Sequence, residues 1–439
     1  MKFKRICFFI LLQLSTGYLF AQDVPKQLTL TQLLDSALAN NYLLQANGKN
    51  TLIQQSEIEL LKTTYLPKIG TYASFSYWDW LMPNKQKILG SGNTDMYTEI
   101  SAYQTVYEWG VNKTKKSMVV SAIALNAETE RQIRHTIIFG VNNAYIELLK
   151  LKAQTEVYRN SIVQLQSQLK FTDNLYRIGK ASQVDLLRIK IKISTEEKQL
   201  QNSLNAEDAQ ITNLKNMCFL KDLNNFETDS NALVVADSWV GKSFIVDTLY
   251  NLLLVQHPTL NATDIKIEQE TKQKELYRLE NRPKMFSYAA TTWEDAYIPF
   301  GNNFNYNIGL GIGYTIPYLG GKGYKTKMLQ SDFKTAKFQD EKNQLETDLK
   351  NEIDLALNQW KTLQDELEKI KSIIALSKEA LQDASVQYQA GQGSLIDVLD
   401  AQTVLTESEI TYKQNTVALL QIIARIHYLS GRDNYPFNF

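Results

Sequence analysis

The chain has 439 residues, of which 44% are hydrophobic and 21% are charged, and its 47 acidic residues balance its 47 basic residues. This balance excludes the strong positive field that nucleic-acid binding requires, so we expect no nucleic-acid partner. Of the two cysteines, Cys7 lies in the N-terminal leader described next, which leaves Cys218 alone and excludes a disulfide framework.

The N-terminal segment has the pattern of a signal peptide. Basic residues precede an apolar run over residues 6–14, and Ala21 is a small residue suited to cleavage. We therefore predict a signal peptide over residues 1–21. No later stretch is long and apolar enough for a transmembrane helix. The alternating residues of a β-barrel strand give only a weak hydropathy signal, so a membrane location stays open.

Two segments poor in glycine and proline predict very long helices. Residues 112–176 contain a single glycine and residues 324–388 contain none, and both are rich in Leu, Lys, Gln, Glu and Ala. A helix of about 65 residues reaches roughly 100 Å, which is longer than a compact domain. Apolar residues recur at three- and four-residue steps, so these helices must pack side by side. The clearest such stripe is Ile353, Leu357, Trp360, Leu363 and Leu367.

Each long helical segment ends in the motif Tyr-x-x-Gly-x-x-Ser-x-x-Asp-x-Leu, and the two copies are 212 residues apart. The glycine suits a left-handed helix C-cap, and the serine suits the N-cap of a returning helix. The aspartate lies in the first turn of that helix, where the helix dipole favours it. The motif therefore predicts two tight hairpin tips. Its members are Tyr176, Gly179, Ser182, Asp185 and Leu187 in the first copy and Tyr388, Gly391, Ser394, Asp397 and Leu399 in the second.

Other correspondences extend this duplication over the chain, since Pro67 pairs with Pro283 and Asn41 pairs with His257. We predict two tandem repeats, each with a first helix, a strand hairpin, a long helix and a returning helix. The predicted divisions are a first repeat over residues 22–218, a segment over 219–243 between the repeats, a second repeat over 244–431 and a tail over 432–439. The hairpins, long helices and returning helices are predicted at 68–107, 111–177 and 183–218, and again at 284–317, 322–389 and 395–430.

Residues 304–316 alternate strictly between large apolar residues and small or polar ones. This period of two predicts a strand with two different faces. A large apolar face opposite a small polar face matches a membrane barrel, whose outside contacts lipid and whose lumen holds water. Trp78, Trp80 and Trp293 lie near the predicted loop ends and suit an interfacial aromatic girdle, although tryptophans near the loops of a soluble sheet would look the same. The residues predicted to face lipid are Phe304, Tyr306, Ile308, Leu310 and Ile312.

Four strands in one chain leave two open sheet edges. Unpaired backbone groups in hydrocarbon cost several kcal/mol each, so a barrel of such strands must close between chains. Outer-membrane barrels have an even number of strands, at least eight. Two chains giving eight strands and three chains giving twelve are therefore both allowed.

These residues resemble the TolC-like outer-membrane efflux family over essentially the whole mature chain. Residues 388–402, Tyr-Gln-Ala-Gly-Gln-Gly-Ser-Leu-Ile-Asp-Val-Leu-Asp-Ala-Gln, are similar to the family's second tip motif, and residues 317–321, Pro-Tyr-Leu-Gly-Gly, resemble its strand-to-helix junction. The resemblance implies a mostly α-helical homotrimer with a twelve-stranded β-barrel in the outer membrane, a long periplasmic α-barrel and an equatorial collar formed by the segment 219–243. It also implies a passive export duct of a tripartite efflux or type I secretion system, opened by an inner-membrane transporter and a periplasmic adaptor.

The same resemblance makes the hairpin tips the periplasmic entrance of the duct. Asp397 and Asp400 match acidic rings that narrow the entrance and select cations. Tyr388 and Asp185 match groups that link neighbouring tips, and Tyr176, the counterpart of Tyr388, is placed with them. Asp185 and Asp397 can also act as first-turn acids that stabilise the helix dipole, and both roles can hold together.

The sequence departs from the family at one tip position. Gly393 stands where better-known members carry an arginine that latches the entrance, so the same link cannot form. Lys180 or Arg177 of the other tip is the candidate replacement, or the resting state closes less tightly.

The sequence offers little for catalysis or metal binding. Its histidines, His135, His257 and His427, are far apart along the chain, and no phosphate loop or nucleophile elbow is present. We expect no enzyme activity, no metal and no cofactor. The competing interpretation is a soluble periplasmic coiled-coil scaffold or adaptor, which would also use long helical hairpins. The apolar face of residues 304–316 opposes it, because such a protein has no reason to expose that face.

Overall fold

The computed structural model describes residues 29–77, 94–220, 238–239, 241–294, 304–314 and 322–433. Several predictions from the sequence lie outside these residues. They are the signal peptide over residues 1–21, Trp78 and Trp80 of the girdle, the 317–321 junction, most of the equatorial segment and most of the tail.

The first half of the chain forms helices on either side of a strand hairpin. Its elements are α1 (Leu30–Asn40), α2 (Tyr42–Lys62), a 3-10 turn (Thr63–Tyr65), β1 (Lys68–Tyr77), β2 (Thr94–Tyr107), α3 (Val111–Arg177) and α4 (Gln183–Met217).

The second half repeats this order with almost the same lengths. Its elements are α5 (Val246–Gln256), α6 (Pro258–Glu280), β3 (Lys284–Glu294), β4 (Phe304–Gly313), α7 (Lys322–Gln389) and α8 (Leu395–Leu429). The long helices α3 and α7 have 67 and 68 residues, and α4 and α8 have 35 each. The predicted internal repeat and the mostly helical class are confirmed. Within the described residues, no helix combines the length and apolar character needed to cross a membrane.

The two repeats also break their first helix in the same way. Asn41, between α1 and α2, and His257, between α5 and α6, are both extended, with ψ of 121° and 119°. The Asn41 side chain accepts hydrogen bonds from the Leu43 and Leu44 amides, while Pro258 starts α6 at a position where no amide hydrogen is needed. The two repeats therefore form the same backbone turn with different residues.

The long helices bury their apolar stripes against one another. Helix α3 packs along α2, α4, α6 and α8, and α7 packs along α6 and α8. In the predicted stripe of α7, Ile353, Trp360 and Leu367 are buried, and Leu357 and Leu363 are partly buried against the same cluster. This cluster continues through α8, where Val417, Leu420 and Ile423 lie at helical spacing.

The four strands form one antiparallel sheet in the order β1-β2-β3-β4. The central pairing of β2 with β3 joins the two repeats, and Ala102 lies opposite Ala289. A bulge between Thr105 and Tyr107 shifts this register near the end of β2. Strands β1 and β4 each have a strand neighbour on one side only, so they are the edges of the sheet described here.

Candidate functional site

The ends of α3 and α7 lie at two hairpin tips with the same backbone geometry. Gly179 and Gly391 have φ of 72° and 75°, in the left-handed region that glycine adopts without a steric cost. The Gly179 and Lys180 amides donate to the carbonyls of Tyr176 and Leu175, at 2.9 and 2.8 Å. The corresponding bonds of the second tip join Gly391 to Tyr388 and Gln392 to Gln387. Both tips are therefore Schellman caps.

Each returning helix begins with a capping box. At the first tip, Ser182 Oγ accepts from the Asp185 amide at 3.1 Å, and Asp185 Oδ2 accepts from the Ser182 amide at 3.0 Å. At the second tip, Ser394 Oγ accepts from the Ile396 amide, and Asp397 Oδ2 accepts from the Ser394 amide at 3.3 Å. Both tip aspartates therefore hold their turns closed, which is a structural task that is independent of any role in gating.

The two tips pack against each other within one chain. Tyr388 is buried in an apolar cluster shared by both hairpins, and its hydroxyl makes no hydrogen bond among the described residues. The adjacent Thr172 hydroxyl is also buried, and neither hydroxyl has a described neighbour at full hydrogen-bond geometry, although the two interact. Burial raises the pKa of Tyr388, the Thr172 hydroxyl lowers it, and the Asp185 carboxylate raises it. The other members of the cluster are Leu165, Ile189, Ile193, Leu395 and Val398.

The remaining tip residues are exposed to solvent. Asp397 and Asp400 are both exposed on α8, and Asp400 makes no hydrogen bond or ion pair within the described part of the chain. Tyr176 is 43% exposed and lies outside the cluster around Tyr388. The structure therefore brings Tyr388 near Asp185 but leaves Tyr176 at the surface.

The position of the latch arginine is tightly enclosed in this chain. A Cβ atom added to Gly393 would lie 3.0 Å from Cβ of Gln387 and 3.2 Å from the amide nitrogen of Tyr388. The Gly393 amide also donates to the Gln387 carbonyl at 3.1 Å. Arg177 pairs with Asp173 on its own helix at 2.8 Å, so its charge is already engaged. Of the two candidate replacements, the exposed Lys180 is the freer one, because no ion pair holds it among the described residues.

One face of the sheet is largely apolar, with threonine and serine side chains among the apolar ones. Ile69, Ala102, Ala289 and Ile308 are aligned across the four strands. Side chains of both edge strands on this face are largely exposed, with Ile308 at 81% and Ile69 at 76%. The predicted lipid-facing residues of β4 are exposed by 58% to 81%: Phe304, Tyr306, Ile308, Leu310 and Ile312. Contiguous exposure of this kind indicates a surface that another apolar phase covers.

The opposite face differs from the small, polar face predicted from β4 alone. Phe286 and Tyr288 of β3 lie opposite Gly311 and Gly309, and Tyr103 of β2 stacks on Phe286 with ring centroids 5.1 Å apart. A Cβ atom at Gly309 would lie 2.6 Å from the Tyr288 hydroxyl oxygen. The glycines of β4 therefore make room for aromatic rings from its neighbour, and the face is partly aromatic.

The sequence profile of the outer membrane efflux protein family matches residues 33–218 and 249–432, one stretch in each repeat. The chain belongs to this family. Comparison with curated protein sequences gives no match.

Solved structures of outer-membrane channels share the fold of this efflux protein. CusC, described as forming a transmembrane channel, superposes with a TM-score of 0.77 at 15% identity, over 92% of both chains. The outer membrane protein VceC from Vibrio cholerae gives 0.74 at 16% identity, over 92% of this chain and 96% of its own. The Campylobacter jejuni CmeC outer membrane channel superposes with a TM-score of 0.70 at 16% identity, over 92% of this chain and 85% of its own.

These findings decide between the two interpretations of the sequence. The chain is an outer membrane efflux protein with the fold of solved outer-membrane channels, and the alternative of a soluble scaffold or adaptor is not supported. Its relatives are channels rather than enzymes. The individual tip residues are not tested by these similarities, so their roles in gating stay predictions.

The histidines of the efflux protein come together although they are far apart in sequence. His135 Nε2 lies 2.7 Å from Asp433 Oδ1, Arg131 contacts the same carboxylate at 3.2 Å, and His427 lines the same small cavity. His257 is buried nearby, and burial, together with the charges of His135 and Arg131, lowers its pKa to about 4. Among the described residues, no group of His, Cys, Asp and Glu is arranged to hold a metal ion. No spacing in the sequence signals this cluster, because three separate elements meet there.

Proposed function

We propose that this efflux protein works as a homotrimer, a passive export duct that an inner-membrane transporter and a periplasmic adaptor open. In this proposal each chain gives four strands to a twelve-stranded β-barrel, and the long helices form a periplasmic tunnel that ends at the tips. No enzymatic step by the channel itself is needed. The observation that carries the proposal is the sheet, which has two open edges and one exposed apolar face.

The open edges support closure between chains. Strands β1 and β4 have ten residues each, and their outward backbone groups lack a partner strand in the described sheet. In hydrocarbon each unpaired group costs several kcal/mol, so an isolated sheet of this kind is unstable in a membrane. Pairing β1 of one chain with β4 of the next satisfies both edges at once. Strand counting allows a dimer or a trimer, and family resemblance favours the trimer.

Native mass spectrometry of the detergent-solubilised protein tests the assembly. We expect a single species with three times the mass of the mature chain. The variant Ile308→Pro places a residue without a backbone amide hydrogen on edge strand β4. It should reduce the amount of that species. A dimer would indicate an eight-stranded barrel, and a stable monomer in the absence of denaturant would contradict closure between chains.

We further propose that the tips form a cation-selective entrance. Exposed Asp397 and Asp400 would supply its carboxylates, while Tyr388, Asp185 and Tyr176 would belong to the contacts that change on opening. The exposure of both α8 aspartates supports this role, and so does the position of Tyr388 between the two hairpins. Lys180 is the proposed cationic partner in place of the family arginine.

A further inference from the structure

The end of the sheet that faces the helices is where four chain segments connect the two parts of the molecule. Strands β1 and β3 begin there and β2 and β4 end there, next to the end of α2 and α6 and the start of α3 and α7. Because the helices extend into the periplasm, this junction lies at the periplasmic boundary of the outer membrane. Side chains at this level meet lipid headgroups rather than acyl chains.

The first two turns of both long helices carry the same basic motif. Residues 113–115 and 325–327 both read Lys-Thr-Lys, 212 residues apart like the tip motifs, and Lys116 adds a further charge. Lys113, Lys116 and Lys325 are exposed and make no ion pair within the described residues. The duplicated unit thus presents a cationic surface twice per chain at one height.

Helix stability does not explain these lysines. The positive end of the helix dipole lies at the N-terminus, where acidic side chains stabilise a helix and basic ones destabilise it. Neither α3 nor α7 has an acidic residue in its first turn. The lysines add to the positive end of each helix, so an anion bound there would be stabilised both by the lysines and by the helix N-terminus.

Two acidic groups of the junction pair with other lysines. Glu280 pairs with Lys115 at 3.2 Å, and the buried Glu108 lies 4.0 Å from Lys284. No carboxylate in the described part of the chain forms an ion pair with Lys113, Lys116 or Lys325. These three lysines therefore add unpaired positive charge to the exposed surface of the junction.

Aromatic side chains mark the same level as a membrane interface. Trp109 and Tyr107 are 42% and 49% exposed, and their rings make an edge contact with centroids 5.2 Å apart. The Trp109 indole donates to the Pro283 carbonyl, and the Arg282 guanidinium lies 5.5 Å from its ring centroid. Exposed Trp and Tyr that are anchored by one polar contact are typical of the headgroup region.

We propose that Lys113, Lys116 and Lys325 form a binding surface for the phosphate groups of anionic phospholipids in the periplasmic leaflet of the outer membrane. The surface lies at the end of the sheet where the helices begin, and its charge complements those headgroups. The proposal rests on the membrane placement of the sheet and not on cation selection at the tips. Closure into a ring of identical chains would repeat the surface around the barrel.

Native mass spectrometry with mixed lipids tests this binding surface. The full-length channel, solubilised in detergent, is incubated with equal amounts of phosphatidylglycerol and phosphatidylcholine, and the retained lipids are counted. We expect wild-type protein to retain phosphatidylglycerol preferentially, on the order of fivefold for each lysine that contacts a headgroup. High salt should remove this preference because it screens exposed charges.

Matched variants separate this surface from general charge effects. The triple variant Lys113→Gln, Lys116→Gln and Lys325→Gln should lose the preference, and the corresponding Lys→Arg triple variant should keep it. A control removes three exposed lysines near the tips and should behave as wild type: Lys170→Gln, Lys190→Gln and Lys198→Gln. No preference in wild type, or an equal loss in the control, overturns the proposal. Oligomer mass and single-channel conductance are recorded on the same samples, so failure of the channel assignment is seen separately.

Discussion

The left-handed turn at the second tip allows a direct test of how the hairpin is held. Replacement of Gly391 by Ala adds a Cβ atom at φ of 75°. No atom lies within 4 Å of that Cβ, so the cost is purely conformational. An L-residue pays roughly 1–2 kcal/mol in this region. Alanine also lowers the entropy of the unfolded chain, which offsets part of this cost and leaves about 1 kcal/mol.

Amide hydrogen exchange at the tip measures this cost. The Gly391 and Gln392 amides donate to the carbonyls of Tyr388 and Gln387, at 3.1 and 2.9 Å, and they exchange only when the cap opens. A loss of about 1 kcal/mol should raise their exchange rate about fivefold, since 1.36 kcal/mol is a factor of ten. The effect should fade along α7 within a few turns of the tip.

The same substitution at another glycine is the control. Gly48 lies inside α2, where its Cβ would also meet nothing within 4 Å and its φ is not positive. Gly48→Ala should therefore slow exchange in α2, because alanine favours a helix by about 0.5–1 kcal/mol over glycine. If Gly391→Ala leaves the tip unchanged or slows its exchange as well, the left-handed cap does not hold the turn, and the reasoning from φ is wrong.

Three further predictions concern charge, a buried hydroxyl and pH. Asp397→Asn with Asp400→Asn should reduce cation selectivity, seen as a smaller reversal potential in a KCl gradient across planar bilayers. Asparagine at position 397 can still accept the hydrogen bond from the Ser394 amide at the start of α8. An unchanged reversal potential would therefore show that neither residue contributes to cation selectivity at the entrance. Tyr388→Phe should change the free energy of tip opening, measured by hydrogen exchange, by less than about 1 kcal/mol, because the hydroxyl has no described partner. Tyr388→Ala should lower the free energy of tip opening by about 3–5 kcal/mol, because it empties the apolar cluster. An equal loss in Tyr388→Phe and Tyr388→Ala would contradict this packing. Because the pKa of His257 falls to about 4 in the fold, the unfolded chain binds a proton between pH 6.5 and 4 that the folded chain does not, so stability falls as the pH drops over this range. The His257 amide donates to the Leu253 carbonyl, and its protection factor, corrected for the intrinsic pH dependence of exchange, should fall over this range; His257→Gln should flatten that profile.

Much of the architecture could be predicted because its signals are local. The tip glycines and serines specify caps that depend on a few neighbouring residues, and the 212-residue offset shows that the unit occurs twice. Strict alternation over residues 304–316 was enough to predict both the strand and its exposed apolar face. The stripe from Ile353 to Leu367 likewise predicted the buried side of α7.

Other features could not be predicted because they depend on which elements meet. The alternation of β4 suggested a small polar inner face, whereas Phe286 and Tyr288 of β3 fill the space above its glycines. The cross-strand register decides which side chains of β3 lie over the glycines of β4, and that register cannot be predicted from the sequence of β4 alone. The resemblance placed Tyr388 among the tip contacts, but its burial beside Thr172 follows from the packing of two hairpins.

The sequence by itself determined the repeat, the lengths of the helices, the tips and the apolar strand face, since periodicity and capping act over a few residues. The tertiary structure decided which distant groups meet. It gathered His135, His257 and His427 near Asp433, and it placed the Lys-Thr-Lys motifs of both repeats at the same end of the sheet. Such contacts depend on how whole helices and strands pack, and a side chain acquires its charge balance and pKa only from the neighbours that packing supplies.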